Sequence, residues 1–228
     1  MSATNTVFHT ATIEHQVLGP RQEMTAVAYN LQYTKPLVAE FVAGNPSVST
    51  DVQLVSVRDH ELVRVNLYGQ HPNRPGRRLC AIGIGDARER AVDAANRVWF
   101  DYHASLLFTR ELAPDQSYTL TIRHQVPGMP SQRAATIGVA YDVQYLGPQI
   151  DAAIARNMPT VDEVHVVNSG DHTLMRVNLH GRHPLDAERS ICVGGIADRH
   201  YRAMAAAEQA WKEYHASLLF AAQALGSE

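Results

Sequence analysis

The sequence predicts an α+β fold made of two tandem repeats, each an antiparallel sheet backed by helices. Three observations carry that expectation. Residues 51–108 align with residues 163–220 without a gap at an offset of 112, and 29 of the 58 positions are identical. Several short runs alternate apolar and polar residues with the period of a half-covered strand, whereas others repeat every three and four residues like a helix. The strand-like runs come in groups before each helix, as expected where helices are segregated to one face of an antiparallel sheet.

The elements of the first repeat follow in order. Thr10–Val17 and Met24–Tyr33 read as a hairpin with Gly19-Pro20 in the turn. Pro36 stands where the first turn of a helix tolerates proline, ahead of Leu37–Ala43, and Gly44-Asn45-Pro46 ends that helix. Val52–Val57, Glu61–Tyr68 and Arg78–Ile84 read as three strands. In the second of these Val63, Val65 and Leu67 alternate with Arg64, Asn66 and Tyr68. Asp86 is placed to cap a long helix whose apolar stripe is Ala91, Ala95, Val98, Trp99, Tyr102 and Leu106. In the second repeat Asp198, Ala203, Ala207, Ala210, Trp211, Tyr214 and Leu218 take the same places.

The repeat extends upstream. Ala28-Tyr29 and Gln32-Tyr33 return as Ala140-Tyr141 and Gln144-Tyr145 at the offset of 112, and His15-Gln16-Val17 returns as His124-Gln125-Val126 at 109. Two units, 1–113 and 114–228, are therefore expected, meeting near Ala113-Pro114-Asp115. The chain of 228 residues is 45% apolar and 19% charged, with net charge −3, which describes a globular protein. Residues 1–113 carry 11 basic and 11 acidic side chains and residues 114–228 carry 9 and 12, so neither half has the basic excess of a phosphate-backbone binder. No run is long and apolar enough for a membrane span, and MSATNTVFHTATIEH has neither the basic nor the apolar region of a signal peptide. A cytoplasmic protein with no membrane partner is expected. Cys80 and Cys192 occupy equivalent apolar runs and read as single buried thiols rather than a bridge.

Two local signatures point to one family. Tyr145-Leu146-Gly147-Pro148-Gln149-Ile150-Asp151-Ala152-Ala153 resembles the Gly-Pro turn into a helix in the C-terminal regulatory domain of 2-isopropylmalate synthase. Cys80-Ala81-Ile82-Gly83-Ile84-Gly85-Asp86, running into Ala91 and Ala94-Ala95, resembles that domain's Gly-x-Gly passage from strand to helix. Asp51-Val52-Gln53-Leu54-Val55 stands where the family has the intervening strand. One such domain spans about one repeat here. In that family and the related citramalate synthases, the domain binds the end-product amino acid, leucine or isoleucine, and holds a dimer together beside a catalytic barrel. This chain has no room for a (β/α)₈ barrel as well, since about 250 residues are typical. The resemblance thus implies a free-standing, non-catalytic allosteric module of the kind used in leucine biosynthesis, binding a small amino acid or branched-chain metabolite.

It also implies where the ligand sits: at the helix start formed by Gly147, Pro148, Gln149 and Ile150, and at its counterpart Thr34, Lys35, Pro36 and Leu37. A glycine there lets a backbone N–H approach a carboxylate where the helix dipole favours an anion. The first repeat has Lys35 and no glycine, which leaves a second reading, an assembly protein with a degenerate ligand site and a protein partner or a second copy as its occupant.

Arg64-x-Asn66 and Arg176-x-Asn178 are a repeated polar pair on one side of a strand, able to contact a ligand or the other repeat, or to form a solvated face. His60, His71 and His103 return as His172, His183 and His215 without the tight spacing of a metal pair, so surface or capping roles are expected and neither a metal nor a cofactor is implied. No nucleophile elbow or phosphate-binding loop occurs, which argues against an enzyme. The strand order also resembles double-stranded RNA-binding domains, a third reading. Those domains grip phosphate with lysines at the start of the last helix, where this chain has Arg88, Glu89 and Val92, then His200, Tyr201 and Met204.

Overall fold

The computed structural model describes residues 8–32, 35–57, 60–128, 134–144 and 147–225. In chain order they form β1 (Phe8–Leu18), β2 (Ala26–Asn30), α1 (Lys35–Ala43), β3 (Val48–Val57), β4 (His60–Gln70), β5 (Arg78–Gly85) and α2 (Arg88–Thr109). There follow β6 (Ser117–Pro127), β7 (Ala135–Asp142), α3 (Gly147–Arg156), β8 (Thr160–Ser169), β9 (His172–His183), β10 (Asp186–Ala197) and α4 (His200–Leu225). The fold is α+β, and every expected helix is present.

The pairing differs from the expected hairpins. β1 does not pair with β2; it runs antiparallel to β6 as a two-stranded ribbon. β2 instead lies parallel to β10 in a sheet ordered β2-β10-β9-β8, and β7 lies parallel to β5 in a sheet ordered β3-β4-β5-β7. Each sheet is therefore mixed, three antiparallel strands from one half of the chain and one parallel edge strand from the other. The cause is local. Gly19 adopts a left-handed φ of 100° and its N–H donates to the carbonyl of Gln116, 2.7 Å away, at the entry to β6. The Gly19-Pro20 turn thus closes onto the other half instead of folding β2 back along β1. In the ribbon Ile13 faces Ile122, and these are equivalent positions at the offset of 109. β1 and β6 also bury the same alternate positions, Ala11, Ile13, His15 and Val17 against Leu120, Ile122, His124 and Val126.

α2 lies across β5, β7 and β4, and α4 across β10, β2 and β9. Close approach explains the small residues: a side chain at Gly83 would collide with the backbone of Ala91 and Ala95, and one at Gly195 with Ala203 and Ala207. The space above Gly69 holds the indole of Trp99, and that above Gly181 holds Trp211, which is 1% exposed. Burying a large apolar side chain contributes about 1.5–3 kcal/mol, so these two lock each helix to its sheet. The opposite faces are covered too, where helices on one face alone were expected. Leu62, Tyr68, Cys80, Ile82 and Ile84 pack on Ile150 of α3 and Phe220 of α4, while Leu174, Cys192 and Ile196 pack with Val38 of α1 and Phe108 of α2. Both thiols are buried and unbridged. Asp86 does not cap α2. The cap position is Ala87, and Asp86 accepts from the backbone N–H of Gln144 (2.8 Å) and pairs with Arg90 (2.7 Å). Among the described residues no helix is long and apolar enough to cross a membrane.

Candidate functional site

The charged centre of the molecule is built by α2 and α4. Helical spacing puts Arg97 and Asp101 on one face of α2, and Gln209 and Glu213 on one face of α4. The two pairs occupy equivalent positions in the sequence repeat. An Arg97 guanidinium nitrogen and the amide of Gln209 both donate to the same Glu213 oxygen, the second over 2.8 Å. Asp101 accepts a long hydrogen bond from the backbone N–H of Tyr29, at 3.5 Å. Arg97, Asp101 and Glu213 line a cavity of about 60 Å³, with His15 and His124 of the ribbon also in its wall.

Two larger clefts flank this cluster. One, of about 540 Å³, is lined by Asn30, Gln32, Lys35, Arg97, Asp101 and Gln209. The other, of about 460 Å³, is lined by Asp142, Gln144, Gly147, Ile150, Lys212 and Glu213, with Gln209 again. Gln209 thus stands between the start of α1 and the start of α3. The first cleft carries Lys35 and Arg97 with Asp101, and the second carries Asp142, Asp151 and Glu213 with Lys212.

Burial dominates the electrostatics. Desolvation raises Asp101 to about 8 against the attraction of Arg97, and it raises Glu213 against the same guanidinium. Glu213 in turn raises Arg97, which keeps its charge. His15 and His124 are lowered to about 4 by burial, so both are neutral at physiological pH. His15 donates from Nδ1 to the carbonyl of Gln16, 3.0 Å away, which leaves Nε2 as the acceptor.

The residues expected to bind a ligand are divided by the structure. Lys35 and Pro36 are exposed at the start of α1, and Lys35 lines the first cleft. Leu37, 45% exposed, lines a different hollow beside Phe41 and Phe108. Thr34, Tyr33, Tyr145 and Leu146 lie outside the described residues. Gly147 and Ile150 line the second cleft, while Pro148 and Gln149 are exposed. The Gly147 N–H already donates to the carbonyl of Gln144 (2.9 Å), and a side chain at Gly147 would point into open space.

Arg64, Asn66, Arg176 and Asn178 do not form a solvated sheet face; none is more than 1% exposed. Arg176 donates to the carbonyls of Leu18 (3.0 Å) and Pro20 (2.9 Å), and Arg64 to that of Pro127 (3.0 Å). Each arginine therefore holds the end of a ribbon strand from the opposite half. Gly19 and Gly128 lie against these guanidiniums, where a side chain would intrude. Asn178 donates to Gln22 Oε1 (2.7 Å) and Asn66 to the Tyr68 hydroxyl (3.2 Å). The repeated histidines are mostly internal rather than on the surface. His103 and His215 donate from Nδ1 to the Trp99 and Trp211 carbonyls, and His71 and His183 accept from backbone N–H groups two residues on.

Sequence reasoning missed Arg97, Asp101, Gln209 and Glu213. Their signal was present as two polar pairs spaced by four beside the apolar stripes, at equivalent places in both repeats. Comparison of the chain with protein-family models, with curated proteins and with solved structures finds no match.

Proposed function

We infer that the chain is a non-catalytic binding module for a small amino-acid-like metabolite, acting as a regulator of a partner in the manner of the 2-isopropylmalate synthase regulatory domain that its turns resemble. One observation carries the reading: the two turn-to-helix segments singled out in the sequence line two clefts that meet at Gln209, with Arg97 in the wall of the first and its partner Glu213 in the wall of the second. A small amino acid suits the first cleft, with its carboxylate toward Lys35 and Arg97 and its ammonium group donating to a carboxyl oxygen of Asp101. The hydrogen bonds joining Arg97 and Gln209 to Glu213 give the two clefts a route by which filling one alters the other.

The test is a thermal-shift screen against the twenty amino acids and the branched-chain 2-oxo acids. A ligand at 100 times its Kd stabilises the native state by about 2.7 kcal/mol, a shift of several degrees or less at this size. A reproducible shift with leucine, isoleucine or valine that Lys35→Ala or Gly147→Leu removes supports the sensor. No shift with any compound overturns it.

The assembly reading is favoured by a different observation. β3 and β8 are sheet edges, and on them Leu54 is 73% and Val166 61% exposed at equivalent positions. Long edges with apolar side chains are templates for strand addition. Light scattering that shows a dimer, reduced to monomer by Leu54→Lys or Val166→Lys, supports assembly; a monomer at all concentrations removes a second copy as the occupant.

A further inference from the structure

Cys192 and Cys80 occupy the same place in the two halves, on β10 and β5, but they face different partners. Opposite Cys80 across the ladder is Tyr68; opposite Cys192 is His180. Cys80 Sγ lies 4.0 Å from the carbonyl of Ala81, whereas Cys192 Sγ lies 3.5 Å from His180 Nε2. Both Cys192 and His180 also line a cleft of about 740 Å³ between the residues that lead into β2 and the edge of β6.

The hydrogen bonds around His180 set its proton. Gln22 Oε1 accepts from Asn178 Nδ2 at 2.7 Å, which turns the Gln22 NH₂ toward His180 Nε2, 3.3 Å away. A group that receives an N–H there is an acceptor, so the ring proton sits on Nδ1 and the Nε2 lone pair is directed to the cleft beside the thiol. The cleft wall carries Glu23 and Glu188 against Arg123 and Arg189, the buried Arg176 guanidinium donates to the same Gln22 Oε1 at 3.4 Å, and burial raises the nearby Tyr118 phenol. The imidazole, 3.5 Å from the sulfur, is the group placed to take the thiol proton.

The geometry points to Cys192 as a reactive thiol that forms mixed disulfides with small carboxylate-bearing disulfides, with His180 as its base. Cys192 passes its proton to His180 Nε2, giving up the contact with Gln22. The thiolate then attacks one sulfur of the disulfide, the Cys192 sulfur–sulfur bond forms, the disulfide bond breaks, and the departing thiolate takes the proton back from His180. Cys192 is oxidised and the leaving sulfur reduced, so electrons balance with no other reactant. Arg123 and Arg189 at the rim suit the carboxylates of the incoming disulfide. Cys80, which faces Tyr68 across its ladder, serves as the control within the same chain.

The test uses the intact protein and dithiobis-nitrobenzoic acid, an aromatic disulfide with two carboxylates. Release of the coloured thiolate is followed in native buffer, and the modified residue is identified by mass. The expected result is one fast equivalent on Cys192, lost in Cys192→Ser and kept in Cys80→Ser. Its rate-against-pH midpoint should lie below the ordinary thiol value of about 8.5. His180→Tyr, which rebuilds the surroundings of Cys80, should slow the reaction at neutral pH about tenfold or more and move the midpoint upward. The idea fails if both thiols react at one rate that tracks unfolding in urea, or if His180→Tyr, with its melting temperature kept, reacts as fast as the parent. The pH profile of the unaltered protein needs no variant, and an ordinary midpoint for Cys192 would sink the proposal by itself.

Discussion

Residues that are the same in both halves differ in position from residues by which the halves diverge. Arg64 and Arg176, Trp99 and Trp211, His103 and His215, Gly83 and Gly195 are shared, and each is enclosed in packing or in hydrogen bonds to backbone. Tyr29 and Tyr141 likewise both donate to a carbonyl of the ribbon, Gln16 at 2.9 Å and Gln125 at 2.7 Å. Divergent pairs include Lys35 against Gly147, Arg97 against Gln209, Asp101 against Glu213 and Tyr68 against His180. These line clefts or cavities, apart from Tyr68. Among these pairs, the shared residues tie the two halves together, and the divergent ones stand mostly in the walls of clefts.

Four changes would break or sharpen that contrast. The largest effect belongs to the shared frame: Arg176→Leu should destabilise by about 3–5 kcal/mol in urea unfolding, because the buried carbonyl of Leu18 and the partly buried one of Pro20 both lose a charged donor. A loss under 1 kcal/mol would mean that the clamp is ornamental. Next, Gly195→Ala should cost about 2–3 kcal/mol, since the added methyl meets the α4 backbone rather than a movable side chain; an unchanged denaturation midpoint would refute the close packing.

A smaller and pH-dependent effect belongs to the divergent centre. Asp101 has a folded value of about 8 against an ordinary 3.8, so its contribution is fully present below 3.8 and is lost as pH rises through 8. His15 and His124, at about 4 against 6.5, act oppositely: their contribution is present above 6.5 and lost as pH falls through 4. Other buried groups titrate in the same range, so Asp101 is isolated by difference: between pH 6.5 and 8 the parent should lose about 1–2 kcal/mol relative to Asp101→Asn, at no more than about 1.4 kcal/mol per unit for one proton. Urea midpoints of both proteins at the two pH values decide it. Smallest of all, Gly147→Leu should leave stability within about 0.5 kcal/mol, because its side chain enters open space, while occupying the cleft at α3. A large loss of stability there would show that the turn, and not the cleft, required glycine.

Much of the fold was legible because periodicity is local. The alternation of Ala11, Ile13, His15 and Val17 shows that β1 buries one face, yet it does not name the strand beside it. That strand is β6, whose paired residues are 99 to 119 positions away, and no spacing within β1 encodes it. The arginines were misjudged for a related reason. Arg64 and Asn66 alternate with valines, which suggests an outer face, but Leu62 and Tyr68 share their parity and are themselves buried. Those two apolar neighbours were the available sign that the second face is covered. The centre at Arg97, Asp101 and Glu213 was visible only as pairs, since two helices from different halves must meet before the charges do.

The exchange of β2 and β7 between the sheets makes the segment after α2 a tether. Cleaved near Ala113, residues 1–113 would carry a sheet edge on β5 with no strand to fill it and a β2 with no sheet to join. Such a fragment can complete both only by trading strands with another chain, either residues 114–228 or a copy of itself. The exchange of edge strands gives the intact protein the topology of a strand-swapped pair joined end to end. The splice converts a concentration-dependent association into an intramolecular one, so assembly no longer weakens on dilution.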